Sequence, residues 1–400
     1  MNQDSAQRLR FDDPGTLADW HNTLALLRTH DPVHWDEGIG AWIVTRHADV
    51  KAGLFNRDLS SRGPSAFMDL LDAAGQRELR ELRSFYEHWM VFSDSPYHER
   101  VRTCVQRVLT PRAVERRRAH VREEARRLAD AATGRPVDLY AEFSRPLAVR
   151  VICDLLDIPV EDWEEFSVWS RDLIAFISTP RPEPALGRIA LDSYHATVDY
   201  VRRAAKDLRA RGLVENPILA VEDLGEAAMV ATFAQFLTGG CDPISAAIGN
   251  AVATLLAHPA ELRLVRDDDT LVGSALEECL RFETPFTIIP KVARTDTVVG
   301  DVHLPAGSRI HFSIAAANRD PEVFPDPDRF TVTRTPNPHL GFGLGAHYCI
   351  GAGLARVELA EAVRALADGR ARWQPAGTPT WVSSFGLRSV ATVPARIEPV

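Results

Sequence analysis

Apolar residues recur at helical spacing along most of this chain, and a few short runs typical of strands lie between them. The first pattern predicts a helix over residues 15–30, which an Asp-Pro pair ends. Two short strands are predicted at 33–35 and 41–45, on either side of a glycine turn, and a second helix at 47–55.

The pattern becomes irregular over residues 60–92, where only 68–85 could form a helix. A helix then begins after Asp94-Ser95-Pro96, because this segment supplies a capping side chain and a proline for the first turn. Further long helices are predicted at 113–132, 138–157, 160–178 and 187–211.

The longest apolar helical segment covers residues 224–257 and would span roughly 50 Å at about 1.5 Å per residue. We expect an interruption at 238–243, where two glycines and a proline stand together. Another helix is predicted at 269–283, and coil-rich sequence follows it. No repeat or linker divides the chain, so we expect a mainly α protein with small β-sheets and a single domain over residues 1–400. We also expect a monomer.

Composition excludes several classes of function. Hydrophobic residues at 45% and charged residues at 25% are ordinary for a globular protein, and the net charge of −9 argues against general nucleic-acid binding. No apolar signal segment and no run of about 18 apolar residues is present, so no membrane span is predicted. Five scattered cysteines without a CxxC pair indicate a reducing compartment, and we expect a cytoplasmic protein.

A glycine-rich segment at 338–356, PHLGFGLGAHYCIGAGLAR, surrounds a single cysteine, Cys349. Glycine lets the backbone take unusual dihedral angles and approach a flat partner closely. The apolar pattern after Cys349 predicts a helix, so the cysteine lies where a glycine loop enters a helix N-terminus. The free N–H groups and the helix dipole there favour a thiolate. Without its neighbours, such a cysteine would be interpreted as a buried core residue.

This segment resembles the haem-binding loop of the cytochrome P450 family. The pattern Phe-Gly-x-Gly-x-His-x-Cys-x-Gly is carried by Phe342, Gly343, Gly345, His347, Cys349 and Gly351. The resemblance implies the P450 fold, a large triangular helical domain with haem b between the long central helix and the cysteine-loop helix. Cys349 is then the axial thiolate ligand of the haem iron, which favours O–O cleavage.

The resemblance also implies which side chains bind the two haem propionates. His98 and Arg102 share one helical face at i and i+4, and His347 precedes the cysteine. The fourth usual anchor is an arginine. Here Lys291 takes its place, which keeps the charge but loses the bidentate fork. Arg294 lies three residues on and would point to the opposite side of a regular strand.

A second family feature is a structural network of one glutamate and two arginines. The pair Glu278-x-x-Arg281 shares one helical face, and a Phe-x-x-x-x-Arg-Phe segment that contains Arg329 follows it. The resemblance assigns these three residues to support of the coil beneath the haem, without a part in the chemistry.

The distal oxygen site of the family has the helical pattern Ala/Gly-Gly-x-Asp/Glu-Thr. Gly239 and Gly240 match the glycines that open a groove for O₂, and Asp242 matches the acid that relays protons. Pro243 replaces the threonine and cannot donate a proton. Either Thr238, or an ordered water with a substrate hydroxyl, takes that part, or the chemistry needs less proton delivery. Radical coupling, dehydrogenation and peroxide-driven oxidation would fit the last case.

The substrate pocket is expected to combine apolar side chains with a few polar ones. The helical period from Asp242 and the family pattern together predict these lining residues: Gln235, Thr238, Thr287, Ile288, Ile289, Phe385 and Leu387.

The resemblance implies a haem-thiolate monooxygenase that acts on a small organic substrate, in the manner of bacterial relatives in secondary metabolism. No flavin or dinucleotide motif is present, so a ferredoxin is expected to supply electrons. An acidic ferredoxin would dock on a basic patch formed by Arg100, Arg107, Arg112, Arg116, Arg117 and Arg118. Two alternatives follow from Pro243: a peroxide-using or radical-coupling enzyme, and a haem-binding protein without turnover.

Overall fold

The computed structural model describes residues 9–179, 181–213, 215–382 and 385–399. Helices make up most of these residues. The α-helices are α1 (Pro14–Ala18), α2 (Trp20–His30), α3 (His47–Phe55), α4 (Gly63–Met68), α5 (Ala73–Glu78), α6 (Arg80–Glu87), α7 (Tyr97–Gln106), α8 (Pro111–Ala132), α9 (Arg145–Leu156), α10 (Trp163–Ile177), α11 (Pro184–Ala210), α12 (Glu226–Ala257), α13 (Pro259–Asp267), α14 (Val272–Phe282), α15 (Ile314–Ala317) and α16 (Ala352–Ala367).

The strands form one larger sheet and three small ones. They are β1 (Val33–Asp36), β2 (Ala41–Val44), β3 (Leu59–Ser60), β4 (Pro136–Asp138), β5 (Ile288–Ala293), β6 (Thr297–Val299), β7 (Val302–Leu304), β8 (Arg309–Ser313), β9 (Ala371–Pro375), β10 (Thr380–Trp381), β11 (Val390–Thr392) and β12 (Pro394–Pro399). The larger sheet has the order β1-β2-β8-β5-β3, with β2 and β8 parallel and the other neighbours antiparallel. The small sheets are β4-β12-β9, β6-β7 and β10-β11.

Two apolar clusters cover the larger sheet, because successive strand residues point to opposite faces. Val44 and Phe312 belong to one cluster, while Ile43 packs with Trp20 and Leu24 of α2 in the other. A third and much larger cluster unites the helices and forms the main core. The mainly α architecture with small sheets is therefore confirmed.

Helix α12 runs without a break from Glu226 to Ala257, so the predicted interruption at 238–243 is wrong. Pro243 is buried inside this helix. An interior proline removes one backbone hydrogen bond and costs about 3 kcal/mol. Helix α12 nevertheless continues because it packs against α9, α10, α11, α14 and α16, which bury almost its whole length.

The other helix predictions are confirmed with shifted boundaries. The helix predicted at 15–30 is divided at Asp19 into α1 and α2, and the irregular region 60–92 contains α4, α5 and α6. In the helix predicted at 138–157, residue 138 ends strand β4, residues 140–144 form a short π-helix, and the α-helix begins at Arg145.

Glu278 and Arg281 of α14 form a fully buried ion pair, with Arg281 Nε and Nη2 at 2.7 and 2.8 Å from the carboxylate oxygens. The second guanidinium group belongs to Arg334, whose Nε lies 3.1 Å from both oxygens. The prediction of Arg329 at this place is wrong, because its side chain is exposed and only its carbonyl oxygen joins the network. The N–H of Thr331 donates to Glu278 at 3.0 Å, and the following turn brings Arg334 over the carboxylate.

We expect Arg334→Ala to destabilise the fold by about 3–5 kcal/mol, because it leaves a buried carboxylate with one of its two cations. The matched variant Arg329→Ala removes an exposed side chain and should change stability little. Urea unfolding of both variants measures the difference. Equal destabilisation by the two substitutions would contradict the assignment of Arg334.

Candidate functional site

The cysteine loop is held in place by its own backbone. Gly343 and Gly345 have φ angles of 66° and 69°, in the left-handed region that favours glycine. The N–H of Cys349 donates to the carbonyl oxygen of Phe342 at 2.9 Å, and the N–H of Ala352 donates to that of Cys349 at 3.3 Å. Helix α16 begins at Ala352, so the thiol stands at the entrance of a helix, as predicted.

The Cys349 thiol is accessible along a cavity of about 510 Å³. Burial by the surrounding protein raises the pKa of this thiol, while the N–H of Gly351 and the guanidinium groups of Arg102 and Arg356 act in the opposite direction. Coordination to a metal cation deprotonates a thiol outright. The loop is therefore suited to a thiolate that binds a metal.

The four predicted propionate anchors lie close together. The rings of His98 and His347 have their centroids 4.1 Å apart. His347 Nε2 lies 2.9 Å from the hydroxyl of Ser61, and the same hydroxyl lies 2.6 Å from Lys291 Nζ. Arg102 lines the cavity that reaches the cysteine loop.

These four side chains fit the carboxylates of a haem. Within the described part of the chain none of them forms an ion pair, and the buried Nε2 of His98 has no hydrogen-bond partner. Burial lowers the pKa of Lys291 to about 8 and that of His347 to about 3. Buried donors without acceptors are costly, and the two propionates of a haem would supply the missing acceptors.

Lys291 and Arg294 lie in different surroundings. Lys291 lies within β5 and is only 7% exposed. Arg294 lies beyond the end of β5, is largely exposed and forms an ion pair with Asp94 at 2.8 Å. Only the lysine is therefore available to the anchor cluster.

Gly239 and Asp242 are three residues apart on α12 and both are accessible, so one face of this helix is open. A methyl group on Gly239 would meet no atom within 4 Å. On Gly240 it would lie 2.6 Å from Cδ1 of Ile152 in α9. Gly240 therefore serves the close packing of two helices and does not open the groove, contrary to the prediction.

Asp242 faces α10, where Ser170 Oγ lies 3.4 Å from its carboxylate. Burial raises the pKa of Asp242, and the positive charges of Arg145 and Arg171 oppose that shift. An acid with a raised pKa is suited to proton transfer. Thr238, in contrast, donates its hydroxyl to the carbonyl oxygen of Ala234 at 2.9 Å within its own helix.

Pro243 has a consequence for the backbone of α12. In an α-helix the N–H of residue 243 would bond to the carbonyl oxygen of residue 239, and proline has no N–H. The carbonyl oxygen of Gly239 therefore lacks its helical donor, on the accessible face that Gly239 shares with Asp242.

Two of the predicted pocket residues hold neighbouring segments. Gln235 is half-buried, and its side-chain oxygen accepts a hydrogen bond from the N–H of Val91 at 3.2 Å. Thr287 is buried and donates its hydroxyl to the carbonyl oxygen of Phe385. Both residues thus position backbone at the edge of the predicted pocket.

The remaining predicted pocket residues either follow Thr287 directly or lie near the C-terminus, at 385 and 387. Ile288 and Ile289 begin β5 and are half-buried, and Leu387 pairs with residue 286 in an isolated bridge. The ring of Phe385 packs instead against Phe11, with centroids 4.5 Å apart, and so belongs to the N-terminal apolar cluster.

The sequence pattern did not indicate Ser61, Ser170 or Arg334. Each of them reaches its partner only through a contact between elements that are distant in sequence: β3 with β5, α10 with α12, and the turn after residue 331 with α14. Helical and strand periodicity describe neighbouring residues, so they could not indicate these contacts.

A family model for cytochrome P450 matches residues 208–366. Mycinamicin IV hydroxylase/epoxidase of Micromonospora griseorubida is 37% identical over 338 residues, which cover 82% of this chain and 82% of the relative. This chain belongs to the cytochrome P450 family. The biotin biosynthesis cytochrome P450 of Bacillus subtilis (strain 168) is 30% identical over 373 residues, 89% of this chain and 90% of the relative.

As a cytochrome P450 the protein is an oxidoreductase of the monooxygenase type, and its cofactor is haem held through a cysteine thiolate. The fold is similar to that of CalO2, with a TM-score of 0.87 and 27% identity over 98% of this chain and 99% of that chain. P450BioI, in complex with a hexadec-9Z-enoic acid ligated acyl carrier protein, has a TM-score of 0.86 and 29% identity over 96% and 100% of the two chains. No helix in the described residues combines the length and hydropathy needed to cross a bilayer.

Proposed function

We propose that this P450 uses O₂ to hydroxylate or otherwise oxidise a small organic molecule of bacterial secondary metabolism. The observation that carries the proposal is Cys349, exposed on the wall of the cavity, near a cluster of lysine, arginine and histidine side chains without carboxylate partners among the described residues. Two relatives support the substrate class: the mycinamicin IV hydroxylase/epoxidase and 6-deoxyerythronolide B hydroxylase, the latter 32% identical over 399 residues.

The proposed site assigns a part to each group of residues. Cys349 is the axial ligand, in a loop shaped by Gly343 and Gly351 and by Phe342, whose ring lies 4.4 Å below the guanidinium of Arg356. The propionates are bound by the anchor cluster of His98, Arg102, Lys291 and His347. A thiolate-ligated haem supplies O₂ activation.

On the distal side, Gly239 would leave room for the cofactor, and Asp242, beside Ser170, would transfer protons. The half-buried Ile288 and Ile289 contribute apolar surface for the substrate. We further propose a monomer in the cytoplasm, with one domain over the whole chain. All five cysteines are free in the structure, which is consistent with a reducing compartment.

Cys349→Ala should abolish the thiolate-type carbon monoxide difference spectrum and the turnover, because the variant has no anionic sulfur to bind iron. Cys104→Ala removes a half-buried cysteine of α7 and should retain both signals. A thiolate-type spectrum that survived in Cys349→Ala would contradict the proposal.

We propose an acidic ferredoxin as the electron donor, docked where α7 meets α8. Of the six arginines predicted to form the patch, Arg116, Arg117 and Arg118 are paired with Glu215, Asp154 and Glu115. Arg100, Arg107 and Arg112 are exposed, and none of the ion pairs among the described residues involves them. This region borders the cavity that leads to the cysteine loop, so docking there would shorten the electron path.

At low salt, Arg107→Glu and Arg112→Glu should each slow association with an acidic ferredoxin about tenfold, because they remove electrostatic steering. Stopped-flow reduction at increasing ionic strength measures the effect, which should shrink as salt screens the charges. Lys206→Glu is the control: it makes the same charge change on an exposed residue of α11, outside α7 and α8, and should change the reduction rate little. Equal slowing by all three variants would argue against docking at α7 and α8.

A second candidate function rests on Pro243 and on the carbonyl oxygen of Gly239, which lacks its usual helical donor. In this version a substrate hydroxyl, or a water that it orders, accompanies Asp242 in proton delivery. The hydroxyl of Thr238 is already bonded within α12, which makes it a poor substitute. Radical coupling, dehydrogenation or peroxide-driven oxidation would need less proton delivery than hydroxylation. A further alternative is a protein that binds haem and has no turnover.

Pro243→Thr should raise the fraction of reductant that appears as product for substrates without hydroxyl groups, because it restores a hydroxyl donor. For hydroxylated substrates the gain should be small. A panel of macrolactones and fatty acids, assayed with ferredoxin and reductase and separately with peroxide alone, provides the comparison. Tight coupling of the unmodified enzyme with a substrate that has no hydroxyl would defeat the substrate-assisted version.

A further inference from the structure

Ser61 directly follows β3 and is 4% exposed. Strand β3 pairs antiparallel with β5, with Ser60 opposite Val292. Continuation of this register by one residue brings Ser61 to Lys291, the residue before Val292 in β5. This register places the Ser61 hydroxyl inside the anchor cluster, beside a lysine that is 230 residues away in sequence.

The hydroxyl of Ser61 makes two hydrogen bonds with defined roles. Lysine has only donors, so the 2.6 Å contact with Lys291 Nζ is a bond that the Ser61 oxygen accepts. The single proton of the hydroxyl is then free to be donated to Nε2 of His347 at 2.9 Å. We infer that Ser61 is a positioning residue that joins Lys291 and His347 into one haem-propionate-binding unit.

The hydrogen bond from Lys291 to Ser61 restrains an ammonium group that would otherwise have no fixed direction. An arginine would present a planar fork with a fixed direction, whereas an ammonium group on a flexible stem can rotate and move. The bond to Ser61 fixes the ammonium group in one place. The same hydroxyl fixes the His347 ring, which has no other hydrogen bond among the described residues.

Ser61 is itself held by a second layer of charge. Its N–H donates to Asp94 Oδ1 at 3.0 Å, and the hydroxyl of Ser60 donates to Asp94 Oδ2 at 2.6 Å. Arg294 neutralises the same carboxylate at 2.8 Å. Asp94 precedes the helix that carries His98, so this layer ties β3, β5 and α7 together.

The test uses the haem-loaded protein and does not depend on the proposed substrate. Ser61→Ala should release haem to an apo-globin acceptor about 3- to 10-fold faster, as expected for one or two lost hydrogen bonds. The haem reduction potential should fall, because a less fixed ammonium group neutralises the propionates less well. Ser61→Thr keeps the hydroxyl and should stay close to the unmodified protein in both measurements.

Ser60→Ala is the matched control, since it removes a neighbouring hydroxyl and one bond to Asp94 but keeps the bridge. If it accelerates haem release as much as Ser61→Ala does, the effect comes from loosening of β3, and the inference is wrong. A double-mutant cycle with Lys291→Met provides the second decision. Ser61→Ala should have a much smaller effect in the Lys291→Met background, and an undiminished effect would overturn the bridge.

Discussion

The carboxylate of Glu278 has no solvent contact, and its neutralisation by two guanidinium groups organises the segment that carries the cysteine loop. Arg281 does more than pair with it, since the same guanidinium donates to backbone carbonyl oxygens of residues 318 and 327. The side chain of Asn318 in turn accepts a hydrogen bond at 2.7 Å from the N–H of Leu340, within the glycine-rich segment. The position of Cys349 therefore depends on a charge network about 70 residues away in sequence. Removal of one cation would leave an uncompensated buried charge, which is why such a network is retained as a unit.

The predicted propionate anchors differ from the Glu278 network, because they form no ion pairs among the described residues. In the anchor cluster of His98, Arg102, Lys291 and His347, the described residues provide no carboxylate partner, and Nε2 of His98 has no acceptor. That arrangement disfavours the fold without cofactor and favours the fold that holds two propionates, so cofactor binding and folding are coupled. The Ser61 bridge is the one neutral group in this cluster that satisfies two of its members at once.

A third constraint concerns the accessible face of α12, where Pro243 leaves a backbone carbonyl oxygen without its helical donor. Helix α12 continues through an interior proline because its other faces are packed. The hydrogen bond that Pro243 removes is the one to the carbonyl oxygen of Gly239, on the accessible face. This combination distinguishes the chain from the threonine-bearing pattern of its family. In the proposed site the cysteine loop and the anchors would hold the cofactor, whereas the residues that set this chain apart in proton delivery lie on α12.

Local patterns in the sequence determined the elements and the part of the site that lies within one element. The glycine loop with Cys349 and the shared helical face of His98 and Arg102 both follow from spacings of a few residues. Only the tertiary structure decided that Arg334 pairs with Glu278, that Gly240 packs on Ile152 and that Ser61 joins Lys291 to His347. It also decided that α12 is continuous, against the local preference of glycine and proline. The reason is physical: helix and strand periods depend on neighbouring residues, whereas these contacts depend on which distant surfaces pack together and which buried charges must find a partner.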